Sequence, residues 1–186
     1  MENYEAKIMA EVAGGNLSAF REIVERHQNP LLNYIYRYTG DRASSEDIAQ
    51  EVFLRVFKNA KEYQPLSSFK TWLFKIATNL CLNELRDNRI HRNTIDIFEL
   101  NEAGFVALAS KHPSPARELE SHELSFTLKK ALKSLSEKQR VALLLHKYSE
   151  FPYIEISQMM GCSISSVESL IHRARQSLKK QLSPYL

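Results

Sequence analysis

Residues 47–57, DIAQEVFLRVF, decide the fold of this chain because their apolar and polar side chains separate at helical spacing. Ile48, Val52 and Val56 recur at every fourth position and predict a helix with one buried face. Phe57 and the other phenylalanine of the stretch are expected to extend that face. The opposite face carries polar side chains around one leucine, namely Asp47, Gln50, Glu51, Leu54 and Arg55. Such a face is either simply solvated or suited to a partner.

Residues 69–86, FKTWLFKIATNLCLNELR, predict a second amphipathic helix that combines aromatic, amide and basic side chains. Its buried stripe is expected to consist of Leu73, Ile76, Ala77, Leu80 and Leu85. Asn79, Asn83 and Arg86 share another face at i, i+4 and i+7. Cations neutralise phosphate, amides bond base edges and rings stack on unpaired bases, so this face suits single-stranded nucleic acid. Trp72 is either a core residue or a stacking platform.

The composition favours a helical protein. The sequence has 186 residues, a formal net charge of +3 and five glycines. This length permits one or two domains, and the scarcity of glycine and of strand-like alternation favours an all-α fold. The net charge is too small to indicate nucleic-acid binding by itself. The cations are instead concentrated in two places, at Arg86, Arg89 and Arg92 and again at Arg173, Arg175, Lys179 and Lys180.

Several classes of protein do not fit the sequence. Cys81 and Cys162 lie far apart, which indicates two reduced thiols. The sequence contains no Cys-x-x-Cys motif and no cysteine–histidine cluster, so we expect no metal and no cofactor. No apolar run approaches the ~20 residues of a membrane span, and the N-terminal MENYEAKIMAEV is too polar for a signal peptide. We therefore expect a cytoplasmic protein without membrane insertion.

Capping signals divide the N-terminal half into short helices. Residues 3–13 are predicted to form the first, and Asn16 or Ser18 to cap the second. Pro30, whose ring suits the first turn of a helix, is predicted to open a third helix that continues to Tyr38.

The helix that contains DIAQEVF is predicted to begin after Ser44 and Ser45, whose hydroxyl groups can cap it, and to end near Ala60. Residues 63–68 predict a loop, and the following helix is expected to start at about Ser68.

The C-terminal part predicts a separate group of helices. Residues 94–118 have no sustained helical period and contain two prolines, which is typical of a linker. Residues 124–135 then have a regular apolar repeat, and Ser136 is expected to cap the next helix with Gln139 at the capping-box position. Pro152 is predicted to open a short helix that buries Ile154, Ile156 and Met159.

Residues 154–182, IEISQMMGCSISSVESLIHRARQSLKKQL, have the pattern of a helix-turn-helix. An apolar first helix is followed by a glycine turn, a serine cap and a long second helix. The buried face of the second helix is predicted to be Ile164, Val167, Ile171, Ala174 and Leu178. The outward side chains include Glu168, Ser169, His172, Arg173, Arg175 and Lys179. A plain helical hairpin with a basic solvent face is the alternative interpretation.

Together these motifs resemble the signature of bacterial RNA polymerase σ factors of the extracytoplasmic-function (ECF) group, within the σ70 family. The pattern D-x-x-Q-E-x-F is present at residues 47–53, and F-x-T-W-L-x-x-I-A-x-N is present at residues 69–79. The resemblance implies a two-domain all-α protein. Domain 2, residues 1–93, would bind core polymerase and recognise and melt the −10 element. A linker, residues 94–118, would lead to domain 4, residues 119–186, which would recognise the −35 element.

The resemblance also implies roles for individual residues. Those expected to bind core polymerase are Asp47, Gln50, Glu51 and Leu54. Those expected to contact −10 DNA are Trp72, Asn79, Asn83, Arg86 and Arg89, with Arg92 on phosphate. The loop of residues 63–68 would accept a base flipped from the −10 element. Those expected to contact −35 DNA are Glu168, Ser169, His172, Arg173, Arg175 and Lys179. An anti-σ factor is an expected further partner.

Domain 4 departs from the family pattern at two positions that are usually basic, where this sequence has Glu168 and Leu170. Affinity for phosphate is therefore expected to be lower or differently distributed. Glu168 either accepts a hydrogen bond from a cytosine N4 amino group or closes a capping box with Ser165, and both interpretations stay open.

Two other functions compete with this interpretation. A stand-alone helix-turn-helix regulator, with residues 1–95 for sensing or dimerisation, accounts for the C-terminal half but not for the W-L-x-x-I-A-x-N face. Such a regulator would bind duplex DNA alone at paired half-sites. A helical nuclease would need clustered metal-binding acids, and only Glu46, Asp47 and Glu51 are dense enough. We therefore expect no enzymatic activity.

Overall fold

A computed structural model describes residues 4–91 and 127–183 of the chain. Every regular element in these two ranges is helical, which confirms the all-α prediction. The predicted linker, residues 94–118, lies outside the described residues, and so does Arg92.

Eight α-helices and one short 3-10 helix occur in the described ranges. They are α1 (Tyr4–Ala13), α2 (Leu17–Thr39), α3 (Arg42–Lys58), the 3-10 helix (Ala60–Glu62), α4 (Phe69–His91), α5 (described over residues 127–134), α6 (Glu137–Lys147), α7 (Tyr153–Met160) and α8 (Ile164–Leu182).

Pro30 does not open a helix, contrary to the prediction, because it lies inside α2. A proline has no N–H group, so α2 lacks one main-chain hydrogen bond at this point. Apolar burial on both sides compensates, since Ile23 precedes the proline and Leu31 and Ile35 follow it, all fully buried. The predicted cap Asn16 is confirmed, with its side-chain oxygen accepting hydrogen bonds from the first turn of the helix.

The start of α3 also differs from the prediction. Gly40 ends α2 with a φ of 75°, and Asp41 immediately caps α3 by accepting a hydrogen bond from the Ser44 N–H at 2.7 Å. That hydrogen bond lowers the pKa of the Asp41 carboxyl. Ser44 and Ser45 therefore belong to the first turn of the helix instead of preceding it. The two-residue connection, Gly40 and Asp41, turns the chain tightly between the two helices.

Helices α7 and α8 form the predicted helix-turn-helix, and α6 packs against both of them. Ser136 and Gln139 make the expected capping box, and Gly161 turns the chain with a φ of 61°. Two isoleucines expected in the core are half exposed, Ile154 and Ile164. Ile154 lies nearly opposite the buried Ile156 around α7, and Ile164 is the first residue of α8, at the end of its packed face.

The N-terminal helices and the C-terminal helices pack against each other across α2–α6 and α4–α7. The Phe74 and Phe151 rings meet with their centroids 5.1 Å apart, and buried apolar residues of both halves form one continuous core. The division into two domains stays a prediction, because in this arrangement the two halves share a core.

Candidate polymerase-binding and nucleic-acid-binding surfaces

The outer face of α3 carries the residues predicted to bind polymerase. Asp47, Gln50 and Leu54 are exposed and Glu51 is half buried, while the opposite face of the helix is fully packed. Glu51 pairs with Arg55 one turn later, with 2.7 Å between Oε1 and Nε, and this contact lowers the pKa of Glu51. The carboxylate therefore stays charged at neutral pH.

An exposed apolar patch extends this face around Leu54, and its residues other than Leu54 were not predicted from the sequence. Phe57, expected in the core, is 38% exposed and meets the Phe20 ring edge-on with centroids 5.1 Å apart. Leu17 precedes Phe20 by one turn of α2, and Leu54 precedes Phe57 by one turn of α3. Leu17 is 68% exposed and Leu54 is 51% exposed. We call these four residues the α2–α3 patch.

Trp72 packs within an aromatic group at the start of α4. Its ring lies 4.9 Å from that of Tyr63 and 5.8 Å from that of Phe69, measured between centroids. The side chain is only half buried, because its free side lines a cleft. Residues from the predicted base-binding loop form part of the same cleft, including the highly exposed Leu66. Trp72 is thus both a packing residue and an accessible ring.

The amide face of α4 is exposed as the sequence predicts. Asn79 and Asn83 lie one turn apart on the outer surface, while Leu73, Ala77 and Cys81 of the same helix are fully buried. The backbone of α4 continues to His91, so the positions of Arg86 and Arg89 belong to this helix. The side chains of those two arginines lie outside the described residues.

Helix α8 presents a polar stripe to solvent. Glu168, His172, Arg175 and Lys179 follow one another at helical spacing and are all exposed, and Ser169 and Arg173 flank them. Val167, Ile171 and Ala174 are buried on the opposite side against α6 and α7. The predicted −35 residues therefore share one accessible surface.

The capping role considered for Glu168 is wrong. The cap of α8 is Ser163, whose hydroxyl accepts a hydrogen bond from the Ser166 N–H at 3.2 Å. Ser165 is the second residue of the helix and cannot act as its cap, which leaves Glu168 beyond the first turn. A direct contact with DNA is the interpretation of Glu168 that stays open.

His27 is a buried titratable group that the sequence analysis missed. Its Nε2 lies 3.1 Å from a carboxylate oxygen of Glu5, and its ring centroid lies 4.9 Å from that of Phe69. Burial lowers the pKa of His27, although the charge of Glu5 acts in the opposite direction. His27, on α2, therefore contacts α1 through Glu5 and α4 through Phe69.

Among residues 4–91 and 127–183, no three histidine, cysteine or acidic side chains gather closely enough to hold a metal ion. Within the same ranges, no helix combines the length and the apolar character needed to cross a membrane.

Comparison with known families and proteins agrees with this geometry. The family model for σ70 region 2 matches residues 23–90, and the model for σ70 region 4 matches residues 125–178. The ECF RNA polymerase σ factor SigW of Bacillus subtilis is 30% identical over 185 residues, covering 98% of each chain. The chain belongs to the ECF σ factors. This σ factor is therefore a transcription initiation factor that directs RNA polymerase to promoters.

Other relatives share nearly the full length of this σ factor. The ECF RNA polymerase σ-E factor of Escherichia coli is 27% identical and aligns over 96% of this chain and 94% of its own. Two solved structures have the same fold. CnrH, in complex with the cytosolic domain of CnrY, matches with a TM-score of 0.69, 24% identity and 97% coverage of both chains. The σ factor RpoE of Bartonella quintana, in complex with the anti-σ factor NepR, matches with a TM-score of 0.66 and 24% identity, covering 88% of this chain and 96% of its own.

Proposed function

We propose that α3 is the main surface by which this σ factor binds core RNA polymerase. The observation that carries the proposal is the exposure of Asp47, Gln50 and Leu54 beside the α2–α3 patch, on a helix whose other face is fully packed. Acidic side chains around an exposed leucine suit a basic partner surface with an apolar contact at its centre. The patch extends the apolar part of this surface beyond the single leucine.

Promoter recognition at the −10 element is proposed for α4 and the loop of residues 63–68, within a domain of residues 1–93. Asn79 and Asn83 would bond the edges of unpaired bases, and Trp72 would supply a ring at the melted edge. Arg86 and Arg89 continue the same helix and would contact phosphate. Melting a base step requires a few kcal/mol, which such stacking and backbone contacts can offset.

Recognition of the −35 element is proposed for α8, within a domain of residues 119–186 that the linker of residues 94–118 joins to the first. Glu168, Ser169 and His172 lie in the first half of the recognition helix, where side chains of helix-turn-helix proteins reach base edges. Arg173, Arg175 and Lys179 would hold the phosphate backbone.

The partners of this σ factor would be core RNA polymerase, promoter DNA and an anti-σ factor. The anti-σ proposal draws on the similarity to RpoE, whose structure was solved with the anti-σ factor NepR. We further propose that this σ factor acts in the cytoplasm, where promoters are, and that it has no enzymatic activity and no cofactor.

Charge reversal on α3 tests the polymerase surface. Glu51→Lys should lower the amount of core polymerase that co-purifies with the σ factor, because it places a cation in an acidic surface. Glu25→Lys is the control, since it makes the same charge reversal at an exposed position of α2, outside the proposed surface. Equal co-purification of both variants would contradict the proposed surface.

Run-off transcription separates this function from the stand-alone regulator. Purified core polymerase should give discrete new transcripts from genomic fragments only when this protein is added. Tight duplex binding by the protein alone, with no new transcripts, would favour the regulator instead.

A further inference from the structure

One apolar side chain continues the polar stripe of α8. Ile164 is 46% exposed and lies one turn before Glu168 on the same side of the helix. Along α8, which the structure describes from residue 164 to residue 182, every other exposed side chain is polar. A single exposed isoleucine is common on protein surfaces, so exposure alone assigns no function. The position of Ile164 does, because it extends the surface proposed to face the −35 element.

The start of α8 holds Ile164 in a defined place. Ser163 caps the helix by accepting a hydrogen bond from the Ser166 N–H at 3.2 Å, so Ile164 is the first helical residue. A β-branched side chain has few rotamers in a helix, and a contact therefore costs Ile164 little conformational entropy. In helix-turn-helix proteins, the N-terminal residues of the second helix reach base edges in the major groove. A rigid apolar side chain thus stands where base contacts are made.

The major groove offers one apolar group to such a side chain, the C5-methyl group of thymine. The other groups on the base edges there are hydrogen-bond donors and acceptors, which an isoleucine would bury without a partner. Cytosine lacks the methyl group and presents an N4 amino donor, for which the Glu168 carboxylate is suited. Ile164 and Glu168 are therefore suited to different pyrimidines, one by its methyl group and the other by its amino group.

We propose that Ile164 is a specificity-determining residue that contacts the C5-methyl group of a thymine in the −35 element. The proposal rests on the function proposed for α8. Ile164 and Glu168 are about 6 Å apart along the helix axis, because each helical residue rises 1.5 Å. Successive base pairs are about 3.4 Å apart, so the thymine lies within about two base pairs of the pair that Glu168 contacts.

Deoxyuridine tests the contact, because it differs from thymidine only by the missing methyl group. Each thymine of a −35 element, aligned from the run-off transcripts, is replaced singly by deoxyuridine in a promoter duplex. Holoenzyme formed with the wild-type σ factor should bind one of these duplexes about fourfold more weakly, as measured by competition. Holoenzyme with Ile164→Ala should bind the thymine duplex about fourfold more weakly than wild type does, and should lose nothing further on deoxyuridine.

Ile154→Ala is the matched control. Ile154 is 50% exposed but lies on α7, so this variant should keep the preference for thymine over deoxyuridine. Ile164→Val retains a β-branched side chain and should keep most of the preference. Ile164→Ala should fold normally, because alanine is a strong helix former and the position is half exposed. Urea denaturation checks this stability.

Two results would overturn the proposal. One is a wild-type holoenzyme that binds every deoxyuridine duplex as tightly as the thymine duplex. The other is an Ile164→Ala holoenzyme that still prefers thymine to deoxyuridine at the same position, which would assign the methyl effect to another residue or to DNA shape. The absence of transcripts in the run-off experiment contradicts the proposed function instead. A −35 element that is recognised without any effect of its methyl groups contradicts only the role of Ile164.

Discussion

Lys70 and Ser149 are 79 positions apart in the sequence, yet the Lys70 ammonium group hydrogen-bonds the Ser149 carbonyl oxygen at 2.8 Å. The helix that carries Lys70 also carries Asn79 and Asn83, about two and a half and three and a half turns later, on its exposed side. One helix thus holds the docked C-terminal half on one face and presents the proposed base-contacting amides on another. Any change that tightens docking therefore acts on the same element that would bind the promoter.

Replacing Lys70 should weaken the docked arrangement. Lys70→Met removes a charge-assisted hydrogen bond and a cation–ring contact, and should lower the free energy of unfolding by about 1–2 kcal/mol. Urea denaturation followed by circular dichroism measures this change. Lys61→Met, at an exposed position of the 3-10 helix, is the control and should have almost no effect. Equal stability of the two variants would mean that the contact contributes nothing.

Leu54 and Val56 should separate binding from folding, although both are apolar residues of α3. Leu54→Ala removes a half-exposed side chain and should leave stability nearly unchanged while lowering affinity for core polymerase about five- to tenfold. Val56→Ala creates a cavity at a fully buried position and should lower the free energy of unfolding by about 2 kcal/mol. Titration of fluorescently labelled polymerase and urea denaturation give the two quantities. A large loss of stability in Leu54→Ala would show that this residue is part of the core.

The amides of α4 should act in promoter opening more than in polymerase binding. Asn79→Ala with Asn83→Ala should reduce permanganate reactivity of thymines in the −10 element by about tenfold or more, because contacts to unpaired bases are lost. Co-purification with polymerase should be unchanged. Asn29→Ala with Asn33→Ala has the same spacing on exposed positions of α2 and is the control. An equal loss of polymerase binding would mean that the two asparagines contact polymerase and not the −10 element.

Substitutions of Glu168 and Ser163 should change different properties of α8, base preference in one case and stability in the other. Ser163→Ala removes the helix cap and should cost about 1 kcal/mol of stability without changing which −35 sequences are preferred. Glu168→Ala should leave stability unchanged and alter preference at one base pair by about tenfold, if its carboxylate accepts from cytosine. Selection from a randomised −35 library measures the preference. An unaltered preference in Glu168→Ala would leave the residue without a role in base recognition.

Stability should fall on mild acidification because of His27. Its pKa is lowered in the folded protein, so the unfolded chain takes up a proton more readily. The free energy of unfolding should therefore decrease as the pH falls below the ordinary histidine pKa of about 6.5. His27→Gln should show a smaller decrease between pH 7.5 and 5.5 in urea denaturation. A steeper pH dependence in the variant would reverse the assigned sign.

Periodicity was sufficient to predict most helices of this protein, because burial repeats along a helix in a way that the sequence displays. The face that contains Ile48, Val52 and Val56 is one example. The errors are at helix ends and at Pro30. Whether a proline begins a helix or lies within one depends on how well the residues around it are buried. The residues that bury them are distant in the sequence. Phe57 was misassigned because it lies on a side of α3 that the core does not cover, although its neighbours Val56 and Ala60 are buried.

The candidate site was predicted only as separate helix faces. Asn79, Asn83 and the α8 residues are exposed as expected, since polar side chains at helical spacing indicate solvent or a partner. The docking of the two halves could not be predicted, because its donors, Lys70 and Arg140, look in the sequence like ordinary solvent-exposed cations. Their acceptors are main-chain carbonyls, which no residue type identifies.

Because these acceptors are uncharged, the contacts between the two halves should depend only weakly on ionic strength. Salt screens the attraction between opposite charges, and protein–DNA affinity falls steeply as salt rises. A hydrogen bond from a cation to an uncharged carbonyl in a partly buried position is weakened much less by salt. Raising the salt concentration should therefore detach this protein from its promoter well before it separates the two docked halves.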